Sequence, residues 1–129
     1  MKTILEHIGN TPLVKIESKE SGGKVNIFAK IEGMNPGGSI KDRIVFNMIT
    51  DAESRGVLKK GDTIVEPTSG NTGVAIAMIG AMKGYKVKLV MPKTTSPDKI
   101  KMITAFGGGI ILIENDKFGK IAIEKIKKG

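Results

Sequence analysis

Two short stretches of this 129-residue chain concentrate the residue types that do chemistry on carbonyl compounds. In the first, Asn35-Pro36-Gly37-Gly38-Ser39-Ile40-Lys41-Asp42-Arg43, a proline and two glycines end an extended segment and a helix begins. Ser39 stands as the expected N-cap with Asp42 three residues on, the spacing of a capping box. Lys41 then falls in the first turn, where the positive end of the helix dipole disfavours an ammonium. The neutral amine of a lysine is the form that attacks a carbonyl. Taken alone, the stretch also reads as a capped surface helix carrying one of nineteen lysines.

The second stretch is Glu66-Pro67-Thr68-Ser69-Gly70-Asn71-Thr72-Gly73. Gly70 and Gly73 let the backbone come close to a ligand, and free N–H groups at a helix N-terminus suit a carboxylate or phosphate. The hydroxyls of Thr68, Ser69 and Thr72 add donors, and the Asn71 amide can bond a ring hydroxyl. No Gly-Lys-Ser/Thr follows, so this is not a Walker loop, and it lacks the Gly-x-Gly-x-x-Gly of dinucleotide sites. Taken alone, it also reads as a well-capped turn.

Elements of alternating type must hold these loops. Leu13-Val14-Lys15-Ile16 and Val25 to Ile31 are expected as strands around a polar turn, Ser18 to Gly23. A helix is expected over Ile40 to Arg55, stopped by Gly56, and a strand at Thr63-Ile64-Val65 running into Glu66-Pro67. A helix over Thr72 to Lys83, stopped at Gly84, leads to a strand from Lys86 to Met91. A helix from about Pro97 to Phe106, a turn at Gly107-Gly108-Gly109, a strand at Ile110 to Ile113 and a last helix over Phe118 to Lys128 complete the pattern. Strands alternating with helices imply a single α/β domain, a parallel sheet with helices on both faces. Ligands of such sheets bind beyond the carboxyl ends of the strands, where both loops fall.

Composition removes other classes. Without cysteine there is no disulfide, thiolate metal site or cysteine nucleophile, and one histidine, His7, rules out a His-cluster metal site. The net charge of +8 rests on 19 lysines and only 2 arginines, spread along a chain with 4% aromatic residues. That is unlike the arginine-rich, aromatic-bearing face of a nucleic-acid binder. No apolar run reaches membrane-spanning length and the start has no secretory core, so a cytoplasmic protein is expected, with neither nucleic acid nor membrane as partner.

Together the motifs are more specific than either loop. Ile8-Gly9-Asn10-Thr11-Pro12-Leu13-Val14, the Lys41 loop and the Asn71 loop occur in one order, with Asp51-Ala52-Glu53, Arg55-Gly56 and Met91-Pro92 between and after them. From about residue 4 onward the chain resembles the pyridoxal-phosphate-dependent cysteine synthases, or O-acetylserine sulfhydrylases, and their relatives the cystathionine β-synthases. The resemblance implies the N-terminal domain of a fold-type II pyridoxal-phosphate enzyme, with Lys41 holding the cofactor covalently and Asn71 bonding its ring hydroxyl. It implies that Thr68, Ser69, Gly70 and Thr72 hold the carboxylate of an O-acetylserine-like substrate. The implied reaction is β-replacement, in which Lys41 removes the α-proton, acetate leaves and sulfide adds.

Enzymes of this family run to more than twice this length, and their hydroxyl-bearing glycine cup for the phosphate has no counterpart here. The chain is therefore expected to be the N-terminal portion of such an enzyme, weak or inactive by itself. Alternatives are a non-catalytic binding or assembly protein that keeps the fold, or cystathionine β-synthase-type chemistry. Leu13, Val14, Ile27 and Phe28 are expected to be exposed, with a homodimer or other self-association as the consequence.

Overall fold

A computed structural model of the chain describes residues 3–17 and 25–114. The Ser18 to Gly23 turn and the Phe118 to Lys128 helix expected from sequence lie outside those residues. The described chain is α/β: β1 (Leu13–Ile16), β2 (Ile27–Lys30), α1 (Lys41–Ser54), β3 (Thr63–Pro67), α2 (Asn71–Lys83), β4 (Lys86–Pro92), α3 (Pro97–Ala105) and β5 (Gly109–Ile113). Short 3-10 turns at Ile4–His7 and Glu32–Met34 flank the first two strands.

The strands form two sheets. β3, β4 and β5 are parallel in that order, with Glu66 opposite Leu89 and Met91 opposite Leu112. β1 and β2 instead pair antiparallel as a separate ribbon, with Val14 opposite Ala29. Alternation of strand and helix predicts the parallel sheet, but the connection from β1 to β2 is too short for the crossover a parallel pair needs, and the two pair antiparallel.

α2 is the spine of the core. Its residues Gly73 to Gly80 are all buried, as befits a helix apolar on every side. Small residues set how closely it packs: a Cβ on Gly80 would lie 2.5 Å from Val87 Cγ2. Val87, Leu89 and Met91 turn one side of β4 toward α2, and Ile103 of α3 and Val45 and Ile49 of α1 complete that core. Val90 faces the other way and joins Ile111 and Ile113. Gly84 ends α2 in the left-handed region at φ 79°, where its N–H bonds the last turn.

α1 packs along α2. The Glu53 carboxylate accepts from Lys83 Nζ and from the Tyr85 hydroxyl, each at 2.7 Å. Lys83 Nζ also lies 5.7 Å from the centre of the Phe46 ring. The ribbon is left open: Leu13 and Phe28 are 63% and 58% exposed, and Val14 and Ile27 are exposed as well. Among the described residues no helix is long and apolar enough to cross a membrane.

Candidate functional site

Lys41 is the first residue of α1 and is half-buried. The chain reaches it through a loop whose polar groups are spoken for. Asn35 is buried; its amide nitrogen donates to Glu32 O and Oε2, both at 2.8 Å, and its oxygen accepts from Gly9 N–H at 2.8 Å. Arg43 grips Glu32 with two nitrogens, Nε at 2.7 Å and Nη2 at 2.8 Å, and Nη2 also reaches Gly9 O at 2.7 Å. Thr11 Oγ1 donates to Glu32 Oε1 at 2.9 Å, and Lys30 Nζ donates to Thr11 O. The Arg43 guanidinium, with Asn35 and Thr11 adding hydrogen bonds, holds the Glu32 carboxyl down at about 2 despite partial burial. Gly9, at φ 83°, has no room for a side chain, because a Cβ would lie 2.6 Å from Arg43 Nη1.

The capping box expected at Ser39 and Asp42 does not form. The Ser39 hydroxyl does accept from Lys41 N–H at 3.2 Å, but the helix N-cap is Ile40. The Asp42 side chain does not return to the Ser39 N–H; its carboxylate accepts from Gly37 N–H at 2.5 Å. A spacing of three residues cannot tell which upstream N–H a short acidic side chain reaches once two glycines fold the loop back.

The second loop follows β3. Thr68 N–H donates to Val90 O at 3.0 Å, which prolongs the parallel ladder by one residue. Thr68 is buried, and its hydroxyl accepts from Gly70 N–H at 3.3 Å, leaving its own proton to donate. Ser69 and Asn71 are exposed, whereas Gly70 and Thr72 are half-buried. The start of α2 has no side-chain cap. Gly73 must be glycine, since a Cβ would sit 2.7 Å from Thr68 Cγ2 and 3.1 Å from Leu89 Cδ1.

The structure relates the loops through α1 and α2. Val45, one turn beyond Lys41, and Thr72, next to Asn71, line one cavity of about 160 Å³ with Met48, Ile49, Ile64, Glu66 and Ile76. Thr72 therefore turns toward α1, apart from the exposed Ser69 and Asn71. Burial pushes the Glu66 carboxyl up. Among the described residues, the Lys41 amine, Ser69 hydroxyl and Asn71 amide make no side-chain hydrogen bond or ion pair, in contrast to the engaged Asn35, Glu32 and Arg43.

Lys99 of α3 belongs to neither motif, and the sequence alone does not mark it. Its Nζ lies 3.6 Å from where a Cβ of Gly70 would be, so a positive charge stands over the second loop. The residues are 29 apart, and only the crossing from β4 into α3 brings them together. The one signal was that β4, like β3, ends in a loop at the carboxyl edge of the sheet.

The model of the family described as pyridoxal-phosphate dependent enzyme matches residues 4–128. The chain is 51% identical over 121 residues to a cysteine synthase of Flavobacterium sp. strain K3-15, covering 94% of this chain and 39% of that protein. It is 53% identical over 113 residues to cystathionine beta-synthase of Apis mellifera, covering 86% of this chain and 22% of that protein. Among solved structures, a hydrogen sulfide-producing enzyme from Fusobacterium nucleatum superimposes with a TM-score of 0.89 at 44% identity, over 99% of this chain and 41% of that one. The chain thus spans well under half the length of these relatives. Lys41 and Asn71 each open a helix, and with a family match running almost from end to end this chain belongs to the pyridoxal-phosphate dependent enzyme family.

Proposed function

We propose that the chain supplies the Lys41 and Asn71 side of a cysteine synthase-like site, and that the reaction it serves is β-replacement on an O-acetylserine-like amino acid. The observation that carries this reading is the division of polar groups around the two loops. Among the described residues the Lys41, Ser69 and Asn71 side chains have no hydrogen-bond or ion-pair partner, while the neighbouring Asn35, Glu32 and Arg43 satisfy one another.

The donor set fits the reactive end of the cofactor: an amine for its carbonyl carbon and an amide for its ring hydroxyl. Its phosphate meets no hydroxyl-bearing glycine cup among the described residues, where Gly107 and Gly108 lead into β5 and Gly109 is already its first residue. When bound, pyridoxal phosphate supplies a ring that stores the electrons released at the substrate's α-carbon. Lys41 would bond it covalently, and the freed Nζ would take the α-proton. Asn71 would orient the ring from the start of α2. The carboxylate would lie on Thr68 Oγ1, Ser69 Oγ and the first N–H groups of α2, with the Lys99 charge close by. Thr72 would contribute through its backbone N–H. Residues from the remainder of a family-length protein, or from a second copy, would hold the phosphate, so the isolated chain should turn over poorly.

Equilibrium dialysis tests this reading. The chain should retain pyridoxal phosphate, and Lys41→Ala should lose most of it, with Asn71→Ala intermediate. Equal retention by all three chains would refute the assignment. A sulfide-dependent assay for cysteine from O-acetylserine should give little product from the chain alone.

A further inference from the structure

We infer that Asp42 and Gly37 form a lock that sets where the Lys41 amine is presented, which makes Asp42 a positioning residue for Lys41. The functional meaning of the lock rests on the reading of Lys41 as the covalent anchor.

Asp42 is a poor choice for stability alone. It is 0% exposed in the first turn of α1, where a carboxylate has lost its water. Among the described residues no cation pairs with it: Arg43 is committed to Glu32, and the charge Asp42 feels from Glu32 is of its own sign. Its carboxylate has a single hydrogen bond among the described residues, from Gly37 N–H, and Oδ1 has no partner there. Burial accordingly pushes the Asp42 carboxyl up. Half-satisfied buried groups of this kind are retained where geometry matters more than energy.

The geometry here closes a ring. Gly37 N–H meets Asp42 Oδ2, and the intervening chain runs through Gly38 at φ 82° and Ser39, whose hydroxyl accepts from Lys41 N–H. Lys41 is a member of that ring, so its Cα is fixed from both sides. The entrance is pinned separately, by Gly38 N–H on Asn35 O at 2.8 Å. Gly37 is buried, and a Cβ on it would strike both Asp42 oxygens, with Oδ2 at 2.9 Å. Each residue of the pair thereby requires the other.

Trace acetylation tests the lock without any cofactor. The chain is treated with a small amount of acetic anhydride at several pH values, and the reactivity of Lys41 relative to exposed Lys60 is read by peptide mass spectrometry. In Asp42→Ala the ratio should change by about threefold or more toward one, because positional tolerances at such sites are about half an ångström. Gly37→Ala should produce the same change. Added to Asp42→Ala it should do nothing further, since the carboxylate it strikes is gone. Asp42→Asn keeps an acceptor for Gly37 N–H and should preserve the wild-type ratio. An unchanged ratio in folded Asp42→Ala, or a Gly37→Ala effect equal in both backgrounds, overturns the lock. Should Asp42→Ala not fold, the remaining pair decides: Asn must preserve the ratio and Gly37→Ala must shift it, and the reverse pattern overturns the inference. If the lock holds while pyridoxal phosphate ignores Lys41, the proposed function fails and the lock stands.

Discussion

The segment from Asn35 to Lys41 is held by side chains that hydrogen-bond and carry charge, whereas the segment from Thr68 to Gly73 is held by a backbone ladder and by close packing without charge. Asn35, Glu32, Arg43 and Asp42 brace the first across gaps of 3 to 34 residues. In the second, Thr68 extends the sheet and Gly73 lets α2 settle against Thr68 and Leu89. The two supports should fail under different perturbations. A charged brace answers to pH, while a packed one answers to volume.

Volume provides the largest expected effect. Gly73→Val should lower stability by roughly 1–3 kcal/mol through overpacking, read from the urea midpoint. Ser69→Ala, on the exposed side of the same loop, should stay within about 0.5 kcal/mol. Equal effects at the two positions would dissolve the contrast.

Protons should disturb the braced loop. Glu32 titrates at about 2 in the folded chain against an ordinary 4.5. Its contribution to stability is therefore full above pH 4.5 and lost as pH falls toward about 2. Asp42 has the opposite sign: its carboxyl is raised by burial, so the contribution is present below its ordinary value and lost as pH rises through the folded one. Arg43→Ala should return the Glu32 carboxyl signal in an NMR titration from about 2 toward 4.5. No movement would mean that Arg43 is not the brace.

Between the loops, α1 and α2 are joined at Glu53, and the chain's only tyrosine reports on that joint. The Glu53 carboxylate that accepts the Tyr85 hydroxyl, with burial, pushes the phenol up to about 12 from 10.0. Its contribution to stability is full below pH 10.0 and lost as pH rises through about 12. Ultraviolet titration should show the high value, and Glu53→Gln should bring it down. An ordinary phenol in the folded chain would argue against the joint.

Leu13 and Phe28 of the ribbon stand exposed, and the smallest stability change is expected there. Leu13→Lys with Phe28→Lys should alter stability by no more than about 0.5 kcal/mol per site. The same pair should reduce concentration-dependent association in sedimentation, since exposed apolar strands invite pairing.

What could be read in advance follows the range of the interactions. Branched residues marked β4 and β5, Gly56 and Gly84 marked two helix ends, and the motif residues marked both loops. The antiparallel pairing of β1 with β2 could have been read from the short polar connection between them, which leaves no room for a parallel crossover; it was hidden only by the alternation of the later elements. The Asp42 contact was not legible, because Gly37 and Gly38 let the carboxylate reach five residues back. Arg43 was visible as part of a motif, but its grip on Glu32, eleven residues away, arises only when the 3-10 turn after β2 folds back on the start of α1. Lys99 needed a whole strand and turn to reach Gly70. Local patterns expose elements and caps, whereas braces built from distant side chains emerge only with the tertiary fold.

The claim that these loops form one side of a pyridoxal-phosphate site is tested most directly by reductive capture. The chain is incubated with pyridoxal phosphate, treated with borohydride and mapped by peptide mass spectrometry. The account predicts one dominant label, on Lys41, abolished in Lys41→Ala and weakened in Asn71→Ala. A label spread over the nineteen lysines in proportion to their exposure would contradict it.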